Sequence, residues 1–100
     1  METVSLARHR RAASNQMLFR EVNERIKKGA VRLLTAASIA FVCECTREDC
    51  TERVPLTIEE YESILALPSH FLVKPGHADE AFERVVVGAG DRYEIVEPFE

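Results

Sequence analysis

The chain is expected to fold as an α+β domain. It should have a long N-terminal helix, then a small, mainly antiparallel sheet with one packing helix and a metal-binding loop. Three observations predict this. Apolar residues recur at helical spacing through the first third of the chain. Beyond residue 38 they fall instead into short β-branched and aromatic runs separated by turn residues. Between two of those runs, the stretch FVCECTREDC (41–50) holds all three cysteines of the 100-residue sequence.

The first element runs from about Leu6 to Ala36. Phe19, Val22, Ile26, Ala30 and Leu33 recur at steps of three and four, which places them on one helical stripe. Gly29, after Lys27 and Lys28, is a combination that often ends a helix. The stripe keeps its phase across Gly29, so one continuous helix is expected. So long a helix exceeds what a 100-residue domain can bury along its whole length. Residues 1–37 are therefore expected to form a projecting basic amphipathic helix, and 38–100 a small zinc-stapled α+β domain. A homodimer through Met17, Leu18, Phe19, Val22, Ile26 and Leu33 would hide the apolar stripe.

The segments SIAFVCEC and TERVPL read as two strands, with Pro55 confined to an edge or an end. The simplest geometry is a hairpin with the cysteine loop at its tip. Thr57 and Glu60 form a capping box at the start of the next helix, which buries Tyr61, Ile64 and Leu65 and stops at Pro68. HFLV is a third strand and KPGH a turn. ADEAFE makes one or two helical turns at most. RVVV and RYEIVE close the chain as a hairpin around GAGD.

Cys43, Cys45 and Cys50 are one ligand short of a closed tetrahedral metal site. Adjacent same-face side chains on a strand stand ~6.6 Å apart, so the C-x-C pair must bend for both sulfurs to share one metal. The polar residues before Cys50 can return the chain to that metal. Of the three histidines, His9 lies in the basic helix, and His70 should share the strand face of Lys74. His77 emerges from a tight Pro-Gly-His turn at a sheet end. Cys43, Cys45, Cys50 and His77 are therefore the expected ligands, with structural zinc as the ion. An iron–sulfur centre ranks lower, because C-x-C-x4-C does not match the common ferredoxin spacings.

The apolar fraction of 46% and charged fraction of 30% are ordinary for a globular domain. No apolar run is long enough to cross a bilayer, and the N-terminal stretch has no secretory core. Clustered cysteines without an export signal point to the cytoplasm. The net charge of −4 hides an asymmetry. Residues 1–37 carry eight basic and three acidic side chains, net +5, and residues 38–100 carry five and fourteen, net −9. The halves can attract one another. Alternatively, Arg8, Arg10, Arg11 and Arg20 form a polyanion-binding arm for nucleic acid.

Catalysis finds little support. Glu44, Glu48, Asp49 and Glu52 surround the thiols and disfavour a free nucleophilic thiolate. Four protein ligands would also leave the metal no open position. LFREVNERI in the helix, FVCEC and DCTERVPLTIEEYE around the loop, and FLVKPGH with ERVV and YEIVE at the end resemble a family of small uncharacterised bacterial proteins. The likeness covers roughly residues 15–97, cysteines and Pro-Gly-His turn included. It implies the grouping of the three cysteines with His77 and implies no activity. The expected function is a non-enzymatic zinc-binding interaction module with an unknown protein partner. The alternatives are a nucleic-acid-binding regulator and a thiol redox sensor.

Overall fold

In a computed structural model, residues 2–32 and 37–99 are described. The elements are α1 (Glu2–Arg32), β1 (Ile39–Val42), β2 (Arg53–Leu56), α2 (Ile58–Leu65), β3 (Phe71–Val73), β4 (Glu83–Gly88) and β5 (Glu94–Pro98). The α+β class is as the sequence predicts. The strands form two antiparallel sheets, β1-β2 and β3-β5-β4, where one was expected. Residues 80–82 form a turn and no further helix, with the Phe82 and Glu83 amides both donating to the Asp79 carbonyl.

β1 and β2 pair in a register that sets Phe41 opposite Val54 and Ile39 opposite Leu56. Val54 and Leu56 are buried while Arg53 and Pro55 are exposed, the alternation of a strand with one wet face. α2 opens on Thr57, whose side chain accepts from the Glu60 amide while the Glu60 carboxylate accepts from the Thr57 amide. Tyr61 and Ile64 of α2 are buried, and the Tyr61 ring stacks on Phe41 with centroids 4.4 Å apart. Val54, Leu56, Leu72 and Ile95 complete this core, and Ile26 and Ile39 pack on its border. A second cluster joins Cys43 and Cys45 to Phe71, Val73 and Val96. β3 is thus buried on both faces, Leu72 in the first cluster and its neighbours in the second.

α1 passes through Gly29 without a break and runs 31 residues. At ~1.5 Å per residue its length approaches the 50 Å long axis of the molecule. The end expected at Ala36, like Leu33, lies outside the described residues. From His9 onward the first half of the helix packs against the body. His9 meets Phe82 edge-on at 5.7 Å, and Ala12 and Gln16 are buried.

The stripe that α1 turns to the body is Ala12, Gln16, Arg20, Asn23 and Ala30. Ala30 and the half-buried Ile26 keep the apolar stripe that the spacing predicts, while Val22 of that stripe is exposed and polar residues take the inward positions before it. The inward stripe is polar at its centre because it meets backbone groups and a carboxylate rather than a hydrocarbon surface. No helix among the described residues is long and apolar enough to cross a membrane. The capping box gives a direct test of α2. Thr57→Ala should cost about 1 kcal/mol in denaturant unfolding with an unchanged slope. A loss under about 0.3 kcal/mol would show that tertiary contacts alone hold the helix start.

Candidate metal centre

The hairpin β1-β2 ends at Val42 and Arg53, and its pairing continues one step as the Cys43 amide donates to the Glu52 carbonyl at 3.1 Å. The loop then turns, with the Cys50 amide donating to the Arg47 carbonyl at 3.3 Å. On the far side, Lys74-Pro75-Gly76-His77 forms a turn closed by the His77 amide on the Lys74 carbonyl, 2.9 Å. Pro at the second position and Gly76 at φ +84° make it a type II turn, a conformation that favours glycine at the third position. It lifts the imidazole of His77 toward the loop.

One candidate ligand atom from each of Cys43, Cys45, Cys50 and His77 lies within 4.8 Å of the other three. His77 Nδ1 is 3.7 Å from Cys43 Sγ and 3.6 Å from Cys50 Sγ. Cys43 and Cys45 are buried, and Cys50 and His77 are half-buried. Three thiols and one imidazole gathered this closely form a Cys3His group that can hold a metal ion. The four residues that the sequence groups are the four that the fold brings together. The other histidines are elsewhere. His70 Nε2 lies 3.6 Å from a Glu97 carboxylate oxygen, and His9 packs on Phe82.

Backbone amides favour the charged form at all three sulfurs. The Lys74 N–H donates to Cys43 Sγ at 3.2 Å, and the amides of Arg47 and Glu52 favour the thiolates of Cys45 and Cys50. Amide donors aimed at sulfur favour the charged form that binds a metal. Within the cluster the thiols titrate as a set. A hydrogen bond to Cys43, then His77, the Arg47 amide and Cys50, draw the Cys45 thiol down to about 5 against its burial. The same bond to Cys45, together with burial, pushes Cys43 up. Burial raises Cys50, opposed by the Glu52 amide.

Glu44 does not surround the thiols as the sequence suggests. Strand alternation turns it away from both flanking cysteines, and it is fully buried, 0% exposed. Its Oε2 accepts from Arg20 Nε (3.1 Å), Asn23 Nδ2 (2.9 Å) and the Tyr61 hydroxyl (2.5 Å). Its Oε1 accepts from Arg20 Nη2 (3.2 Å) and the Leu72 amide (2.8 Å). Burial, then the Glu44 carboxylate, hold the Tyr61 phenol well above its ordinary range, so Tyr61 is a donor here.

α1 also bonds the backbone of the loop. Asn23 Nδ2 donates to the Val42 carbonyl and Asn23 Oδ1 accepts from the Val42 amide, at 2.8 and 2.7 Å. Gln16 Nε2 donates to the Glu44 carbonyl and Asn15 Nδ2 to the Cys45 carbonyl. Sequence reasoning missed Gln16 and Asn23, and placed Tyr61 in the core without its bond to Glu44. Polar residues at helical spacing were legible, but nothing local shows that they face inward.

Arg20 corrects a second expectation. It is buried against Glu44 and lies over the Phe71 ring at 4.3 Å, and it also bonds the His70 carbonyl, so it is not on a polyanion-binding surface. Arg8, Arg10 and Arg11 are exposed. Arg8 and Arg11 share the lining of an open cleft with Glu48, Asp49 and Asp79. Of the expected interface residues, Met17, Leu18 and Val22 are 51%, 56% and 37% exposed. Phe19 is half-buried, and Ile26 packs on the chain's own core.

No protein-family profile, curated protein or solved structure matches this chain.

Two outcomes test it. His77→Ala should lower metal affinity while His70→Ala leaves it nearly unchanged, measured by competition with a chromophoric chelator. The reverse pattern would reassign the fourth ligand. Proton competition should also show. Cys43 and Cys50, both raised, are protonated in the metal-free fold at neutral pH and must lose their protons to bind. Cys45, drawn down to about 5, is already a thiolate there. Metal affinity should then fall as pH falls, by up to about 100-fold from pH 8 to pH 7 if both protons are released on binding. An affinity flat across that window would show that binding releases no proton from Cys43 or Cys50.

Proposed function

We propose that this chain is a zinc-stapled interaction module that acts by presenting a surface rather than by catalysis. The observation that carries the reading is the convergence of three sulfurs and one imidazole nitrogen, with the Lys74 amide donating to Cys43 Sγ. Three thiolates and an imidazole are a tetrahedral donor set suited to zinc. Four protein ligands close the coordination sphere, so the ion supplies folding energy rather than a site for substrate. Glu44, the buried carboxylate between two of the cysteines, is saturated with donors, which leaves it no role as a general base. Three free cysteines in a ligand set suit a reducing compartment such as the cytoplasm.

The surface that the module presents is the outer side of α1. Met17, Leu18 and Val22 are exposed there. Leu6, His9 and Met17 line one side of a groove of about 450 Å³, and Phe71, Phe82 and Phe99 line the other. A second copy of the chain, bringing the same apolar side chains, is the occupant this reading assigns. A nucleic-acid reading has less behind it, because Arg20 is buried and Arg8 and Arg11 share a cleft lining with acids.

Elemental analysis of protein purified without added metal should give about one zinc per chain, the capacity of a single four-ligand site. A strong chelator or Cys43→Ser should lower the melting temperature sharply. Iron, or a thermal transition unmoved by chelation, would overturn the structural-zinc reading. For assembly, Leu18→Glu with Val22→Glu should convert a dimer that tolerates moderate salt into monomer, read by sedimentation. A wild-type chain that sediments as monomer would remove the assembly.

A further inference from the structure

We propose that Glu44 is the positioning residue of the metal centre, and that through it metal retention and the docking of α1 form a single equilibrium. The inference rests on the metal reading above and extends it to a residue that is not a ligand.

Glu44 stands between two ligands, Cys43 and Cys45, so any rotation of its backbone moves both sulfurs. Both ends of the residue are held. Its amide donates to the Leu72 carbonyl at 2.6 Å, and its carbonyl accepts from Gln16. Leu72 pairs with Ile95 across β3 and β5, and its amide also donates to the Glu44 carboxylate. The loop therefore docks on β3 as a short added strand segment, held from backbone and side chain together. The carboxylate then binds the loop to α1 through Arg20 and Asn23, and to α2 through Tyr61.

Every donor to that carboxylate comes from an element distant in sequence. Arg20 and Asn23 lie 24 and 21 residues before Glu44, and Tyr61 and Leu72 lie 17 and 28 after it. A buried carboxylate is tolerable only while those donors stay in place. If the loop loses its metal and opens, the carboxylate shifts and the inner face of α1 loses its main acceptor. If α1 undocks, Glu44 loses the guanidinium and amide that hold its carboxylate, and the ligand pair loses its anchor. Linkage makes the two effects equal: whatever docking adds to metal affinity, metal adds to docking.

The test measures zinc affinity by chelator competition, alongside amide exchange of the zinc-loaded and chelated protein. Glu44→Gln keeps the shape but presents an amide donor to groups that are themselves donors. It should weaken zinc binding about 10- to 100-fold, the range of outer-shell changes at metal sites. Tyr61→Phe removes one donor and no volume, and should weaken binding by a smaller factor while keeping the fold. Glu48→Gln removes an exposed loop charge that touches none of this network and should leave the affinity within about twofold, which separates positioning from simple attraction of the cation. Chelation should speed exchange over residues 12–26 of α1 more than over α2.

The proposal is overturned if the folded Glu44→Gln protein, or Tyr61→Phe where Glu44→Gln does not fold, binds zinc as tightly as the parent. It is also overturned if α1 keeps its protection after chelation. A parent chain that binds no zinc sinks the metal reading as well. Binding that is tight and indifferent to these variants sinks only the coupling.

Discussion

A carboxylate with no contact with water is costly to bury as an ion, and Glu44 is buried at the centre of this molecule. It is tolerated because one guanidinium, one amide side chain, one phenol and one backbone amide converge on its two oxygens. Those four donors come from α1, α2 and β3, so satisfying one side chain fixes the relative placement of three elements and the cysteine loop. Removing any partner leaves the others oriented toward a charge they no longer balance. Among the described residues no buried side-chain nitrogen or oxygen lacks a partner. The polar centre is complete rather than a defect in an apolar core.

Around that centre the apolar packing divides into two clusters. One is the usual sandwich of a hairpin under a helix, with Phe41, Val54, Leu56, Tyr61 and Ile64. The other grows out of the metal ligands themselves, as Cys43 and Cys45 pack with Phe71, Val73 and Val96. The cysteines thus serve two purposes, since thiols behave as small apolar groups in a core and as ligands once deprotonated. This shared use is why the site is shielded on the side of the C-x-C pair and more open at Cys50 and His77.

The charge asymmetry of the chain finds part of its meaning within the same framework. The basic helix lies along an acidic body, with Arg20 in the interior and Arg8 and Arg11 beside Glu48, Asp49 and Asp79. Charges that share an open cleft in this way are screened by solvent and contribute little singly. Apolar side chains are left exposed on the outer face, Leu18 above all.

Much of this was legible before any coordinates. The spacing of Thr57 and Glu60 specifies a helix start by local hydrogen bonding, and Pro75 and Gly76 specify a turn by their backbone preferences. The cysteine cluster lacked one ligand, and the only histidine leaving a turn at a sheet end supplied it. These are short-range facts, set by residues within a few positions of one another. The inner face of α1 was not legible, because apolar periodicity marks the buried side of a helix only where that side meets hydrocarbon. Here it meets the backbone of residues 42–45 and the carboxylate of Glu44. Gln16, Arg20 and Asn23 therefore read as solvated until the fold sets them against those groups. Which side of Cys43 and Cys45 the intervening glutamate takes follows from strand alternation. That its side becomes the interior was decided only when α1, α2 and β3 closed over it, since burial of a charge depends on donors 17 to 28 residues away.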